Sequence, residues 1–242
     1  MLWPLVAATL ALVALLVAGL LRGGRPPAGV TVTTPTDDTR TDADGAVHSV
    51  QGADIELPEQ ALDDLWTPYM LERLARTYWS FMTACTFGLV RMHYTPGRRS
   101  VCLLGPPLRL LTFDPPEYEV DDRRGVVRWR IRRGLLVAQE GHDGTGYLEL
   151  EVTRRPDPRP GTSCIHVEVE IANFYPQIAS RLGQWLYAQT QSRIHVVLSY
   201  GFLRRIASRS LSRSRTGRFR PHDTGPVTDI TAGRPHRERD GT

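Results

Sequence analysis

The chain has 242 residues, 41% of them hydrophobic and 23% charged, with a net charge of +4. Apart from histidine every basic side chain is arginine, which excludes a Schiff-base lysine and the covalent catalysis built on one. The cysteines Cys85, Cys102 and Cys164 are too widely spaced for a disulfide framework or a metal-ligand pair, and they point to a reducing compartment.

Residues 2–21 contain no charged side chain and are dominated by Leu, Ala and Val. About 20 such residues cross a bilayer core, so a single transmembrane anchor is expected over residues 1–22. A cleavable signal peptide fits less well, because no basic residue precedes the run and Arg22 and Arg25 follow it directly. Those arginines predict that the remainder of the chain is cytoplasmic, on a cell membrane. Residues 23–46 are rich in Gly, Pro, Thr and Asp and almost free of large apolar side chains, which predicts a flexible linker. The acidic group Asp37, Asp38, Asp42 and Asp44 lacks the spacing of a calcium loop and is read as part of that solvated linker.

A first strand is expected over residues 47–57, followed by helix from residue 59 to about residue 84 with a break at Pro68. Thr67 suits the N-cap of the second helix and Pro68 its first turn. Leu71, Leu74, Tyr78, Phe81 and Met82 then recur at helical spacing and mark a core-facing stripe. Residues 87–94, 100–104 and 108–113 are short apolar runs divided by Pro-Gly and Gly-Pro-Pro turns, the punctuation of strands.

Strict alternation follows. Val127, Trp129 and Ile131 oppose Arg128 and Arg130; Leu148, Leu150 and Val152 oppose Glu149 and Glu151; Ile165, Val167 and Val169 oppose His166, Glu168 and Glu170. Period-2 patterning of this kind predicts antiparallel strands with one dry and one wet face. On the wet face the arginine row lies beside carboxylates, so cross-strand ion pairs are expected in place of a nucleic-acid patch.

Pro176 suits the start of a helix that continues to about residue 207. On it Trp185, Gln189, Arg193 and Tyr200 share a side with Ile178, Leu182, Val196 and Leu203. Packed on the dry faces of the strands, this side defines a candidate ligand cavity: Trp129, Leu148, Leu150, Val167, Val169, Trp185, Gln189, Arg193 and Tyr200. No catalytic set accompanies it. There is no nucleophile elbow, phosphate loop or His-Glu-x-x-His run, and His142 beside Glu140 and Asp143 lacks zinc-site spacing. No cofactor or metal is expected.

The order strand, helical pair, about six strands and a long last helix, with a sheet of about six or seven strands in all, resembles the START-like, or SRPBCC, helix-grip superfamily over residues 47–207. The resemblance rests on residues 125–131, 146–152 and 162–174 and on the helix after Pro176. It implies an α+β fold in which a curved antiparallel sheet wraps the C-terminal helix around an apolar cavity, with no catalytic motif to transfer. Residues 208–242, with Arg209, Arg213, Arg215, Arg218 and Arg220 among serines, predict a disordered tail. Anionic lipid is its nearest partner, with no specific nucleic acid.

The function expected is a membrane-anchored domain binding an apolar or amphipathic small molecule or lipid. The alternatives are a cyclase or hydrolase using the same cavity, with Gln189, Arg193 and Tyr200 orienting substrate, and a structural interaction protein with a filled core.

Overall fold

A computed structural model describes residues 30–33, 36–63, 66–95, 97–139, 141, 144–155, 159–176, 206, 211–214, 216–223 and 225–229. The expected anchor lies outside the described residues, among which no helix is long and apolar enough to cross a membrane. Trp185, Gln189, Arg193 and Tyr200 also lie outside them, as does most of the expected last helix; of that helix, Ile206 is described as helical and is buried.

The fold is α+β and its sheet is antiparallel. The strands are β1 (Thr31–Val32), β2 (Thr36–Thr41), β3 (Val47–Pro58), β4 (Val90–Thr95), β5 (Arg98–Leu103), β6 (Arg109–Phe113), β7 (Glu117–Val120), β8 (Arg124–Arg133), β9 (Tyr147–Arg155), β10 (Thr162–Phe174) and β11 (Val227–Asp229). They run in the order β1-β3-β10-β9-β8-β6-β5-β4, with β2 also on β3, β7 on β8 and β11 on β7. Among the described residues eleven strands replace the six or seven expected. Three of the additions come from stretches whose composition reads as linker or tail, and β7 follows β6 after the Pro115-Pro116 interruption.

Residues 30–46, expected as flexible linker, instead add β1 and β2 to the edge of β3. Every β2 residue is exposed, so backbone pairing holds this strand with little help from burial. The turn that follows it, residues 42–46, closes the hairpin. Asp42 N and Ala46 O bond at 2.8 Å, Asp44 Oδ1 accepts from Ala46 N, and Tyr175 donates to Asp44 Oδ2 at 2.8 Å. These bonds hold the Asp44 carboxyl below the usual carboxylate range.

Between β3 and β4 lie α1 (Glu59–Asp63) and α2 (Pro68–Cys85). Thr67 caps α2 as expected, its hydroxyl accepting from Met70 N at 3.2 Å, with proline in the first turn. Leu71, Leu74, Tyr78 and Phe81 are buried, but so are Glu72, Ala75, Thr77 and Trp79, so contact extends well beyond one stripe. Trp79 packs edge-on to Trp129 at 5.3 Å and lies 5.6 Å from Phe113, centring the core between α2 and the sheet.

Pro176 forms an isolated bridge with Val137, and the helix expected from there lies outside the described residues apart from Ile206. One further expectation is corrected. Part of the expected disordered tail is docked. Arg73 donates to the carbonyls of Leu211 and Ser212, Ser212 N donates to Thr77 Oγ1, and β11 pairs with β7.

Gly134 marks where the chain leaves β8. Its φ is +154°, and a Cβ there would lie 2.1 Å from Leu110 O, so only glycine lets the next residues run this close to β6. Leu135 N and Leu136 N then bond to Arg109 O and Leu110 O.

Candidate functional site

Five of the expected cavity residues lie on the inner face and are buried: Trp129, Leu148, Leu150, Val167 and Val169. Alternation places them there, because successive side chains of a strand point to opposite faces. None of them borders the apolar hollow described next. Leu148, Leu150, Val167 and Val169 belong to the packed core, and Trp129 borders a smaller polar pocket.

The hollow, about 60 Å³, lies between the helical pair and the sheet. Trp66, Met70, Leu71 and Leu74 line it from the helices, Val120, Val152 and Ile165 from β7, β9 and β10, and Ile206 and Leu211 complete it. Among the described residues no charged side chain lines it. At its rim Trp66 Nε1 donates to Asp121 O at 2.8 Å while the Arg154 guanidinium sits 4.6 Å over the indole. A cavity of about 150 Å³ holds benzene, so the hollow as it stands admits part of a hydrocarbon chain. Sequence periodicity places Leu71, Val152 and Ile165 on buried faces, but nothing local distinguishes a residue lining a hollow from one filling the core.

The opposite flank of α2 is polar. Glu72, 3% exposed, accepts from Ser214 Oγ at 2.5 Å, from Thr216 Oγ1 and from Phe219 N at 3.3 Å. Beside it a pocket of about 20 Å³ is bordered by Arg76, Tyr94, Arg99, Tyr118 and Trp129. Burial pushes the Arg99 guanidinium down from its ordinary value and the Tyr78 and Tyr118 phenols well above theirs. Those phenols therefore stay protonated near neutral pH and offer no general base. The tail residues that meet Glu72 carry no periodic signal, which is why sequence reasoning missed them.

On the outer face the arginine row is neutralised in place. Arg128 pairs with Glu149, Arg124 with Glu151 at 2.7 Å, Arg130 with Glu117 at 2.8 Å and Arg132 with Asp114 at 2.7 Å. Burial raises the Glu149 carboxyl against the pull of Arg128. For Glu151, burial also pulls upward, yet hydrogen bonds from Arg124 and Thr153 hold the carboxyl below its ordinary value. Glu168 and Glu170 meet His166 and Tyr147 and not the arginine row. His166 stands on this same outer face, its Nδ1 2.8 Å from Asp54, and so faces away from the hollow. Among the described residues no group of three His, Cys, Asp or Glu side chains is placed to hold a metal ion.

No family model matches the chain, and no curated protein matches it. Among solved structures it is similar to protein Ms6760 from Mycobacterium smegmatis, at 11% identity over 76% of this chain and 99% of that one, with a TM-score of 0.32. A STAR-related lipid transfer protein fragment from Xanthomonas axonopodis matches at 16% identity over 72% and 97%, with a TM-score of 0.30. Human StAR-related lipid transfer protein 5 matches at 12% identity over 87% and 99%, with a TM-score of 0.27. Its structural neighbours thus include STAR-related lipid transfer proteins.

Proposed function

We propose that this domain binds an apolar or amphipathic small molecule, such as a lipid acyl chain, in the hollow between α2 and the sheet. We further propose that residues 2–21 hold it at a membrane with the domain on the cytoplasmic side. The observation that carries the binding reading is the uncharged lining of Leu71, Leu74, Val120, Val152 and Ile165. Such a surface gains about 25 cal/mol for each Å² of hydrocarbon it takes from water. His166 on the outer face leaves the hollow without an acid or base from that histidine, which favours binding over catalysis.

Native mass spectrometry of the full chain purified from cells tests this reading. A co-purified apolar molecule is expected, released by organic extraction and lost when Val152→Phe fills the hollow. Protein that carries no such molecule, and whose melting temperature does not rise with added oleate or lysophospholipid, would overturn it.

A further inference from the structure

One end of the sheet gathers exposed apolar side chains. Leu104 is 72% exposed, Leu135 56%, Phe87 49%, and Leu89 and Leu108 42% each. Antiparallel pairing brings them together, because the start of β4, the end of β5, the start of β6 and the end of β8 fall at this end. Backbone bonds join the turns directly: Leu104 N to Leu89 O at 2.7 Å, and Leu135 N to Arg109 O at 2.9 Å. Phe87 and Leu104 have φ of 52° and 60°, a left-handed backbone that bulky side chains seldom adopt. Such conformations persist where the surroundings over-determine them, and they cluster at functional positions.

The backbone of these turns satisfies itself. Leu104, Gly105 and Leu108 donate to the carbonyls of Leu89, Leu103 and Gly105, and Pro106 and Pro107 have no N–H to satisfy. Phe87, Gly88 and Leu89 donate to Ala84, Thr83 and Thr86, and Leu135 and Leu136 donate to Arg109 and Leu110. A turn whose donors are all engaged escapes the largest cost of leaving water, the exposure of unpaired backbone groups to hydrocarbon.

Charge around the tips has one sign. Residues 73–113 include six arginines and no aspartate or glutamate. Arg91 and Arg109 flank the tips and Arg133 ends β8 beside them, all three exposed. The arginines farther along β8 have carboxylate partners instead.

We propose that this end of the sheet docks onto an anionic phospholipid bilayer. Leu104, Leu108, Leu89, Phe87 and Leu135 enter the interface while Arg91, Arg109 and Arg133 meet lipid phosphates. Apolar tips ringed by cations suit headgroups over acyl chains, and lipid phosphates complement the arginines of residues 73–113, a stretch without aspartate or glutamate. This contact is distinct from residues 2–21 and from the hollow, and it stands or falls without either.

The test uses the full chain with vesicles of phosphatidylcholine, with or without phosphatidylserine, doped with a lipid that carries a photoactivatable group on its acyl chain. After illumination and cleavage at arginine, adducts are expected in the peptides of residues 77–91 and 100–109 when phosphatidylserine is present. About tenfold fewer are expected with phosphatidylcholine alone or in Leu104→Asp. Arg109→Gln should lower the yield only in anionic vesicles. Because Leu104 is exposed, Leu104→Asp should keep the parent melting temperature, which confirms that the loss is one of docking. Adducts confined to other parts of the chain would leave the patch to a protein partner and overturn the proposal. So would equal yields with and without phosphatidylserine, or equal yields from Leu104→Asp and the parent chain.

Discussion

Glu149 and Glu151 are neighbours on β9 with opposite behaviour. Glu151 is held below the ordinary carboxylate value, so the stability it contributes is present above that value, about 4.3, and is lost as pH falls through its depressed one. Glu149 is raised by burial, so its contribution has the other sign: stability declines as pH rises through its elevated value. Melting temperature followed from about pH 6 to about pH 3 separates the two: relative to the parent chain, Glu151→Gln should show a smaller loss, or a larger gain, on the acid side. An unchanged slope in Glu151→Gln would assign the acid loss to other carboxylates. These pairs were half legible in the sequence. Alternation fixes the face of Arg128, Glu149 and Glu151, but strand order decides that Arg130 meets Glu117 and Arg132 meets Asp114, and no local pattern carries that order.

The elements that composition hides are the ones held by backbone and by single buried polar groups. β2 buries none of its residues, so it shows no hydrophobic alternation, yet it pairs with β3 from Thr36 to Thr41. The segment from residue 211 to residue 229 reads as polar and basic, but it is fastened to α2 through Glu72, Arg73 and Thr77. Glu72 is the strongest of these fasteners, because a buried carboxylate accepting three bonds cannot exchange them for water. Glu72→Ala should release the segment and cost about 2–4 kcal/mol of stability. Limited trypsin digestion checks this: cleavage after Arg213 and Arg218 should become fast while α2 and β8 remain resistant. Equal cleavage in variant and parent would show that Phe219 packing and β11 hold the segment without Glu72. By contrast, α2, β8, β9 and β10 were legible because each combines a clear period with a turn or cap signal at its end, while β3 was legible chiefly from the proline that ends it.

For the whole molecule, the sequence conveyed the order of strand, helical pair and meander, and a resemblance to the helix-grip class. It did not convey the hollow, because a cavity is set by how α1, α2 and the sheet meet and not by any one of them. The membrane anchor remains a proposal with its own measurement. Deleting residues 1–25 should yield folded, soluble protein, since every described strand and helix begins after residue 30. A reporter fused after Thr242 of the full chain should be cytoplasmic. A periplasmic reporter, or a mature chain that begins near residue 23, would identify the first segment as a signal peptide. One feature of the sheet also sets a schedule. Ile55 of β3 pairs with Ile165 of β10, about 110 residues later in the chain. During synthesis β3 must therefore wait for nearly the whole domain to emerge. Its hairpin with β2, closed at once by the turn at Asp42–Ala46, occupies one side of β3 in the meantime. A nascent chain so arranged is guarded on one flank only, and long-range closure of this kind belongs to the slower, millisecond-to-second class of folding. The interval before β10 arrives is thus when a stalled ribosome or a missing chaperone would do the most damage.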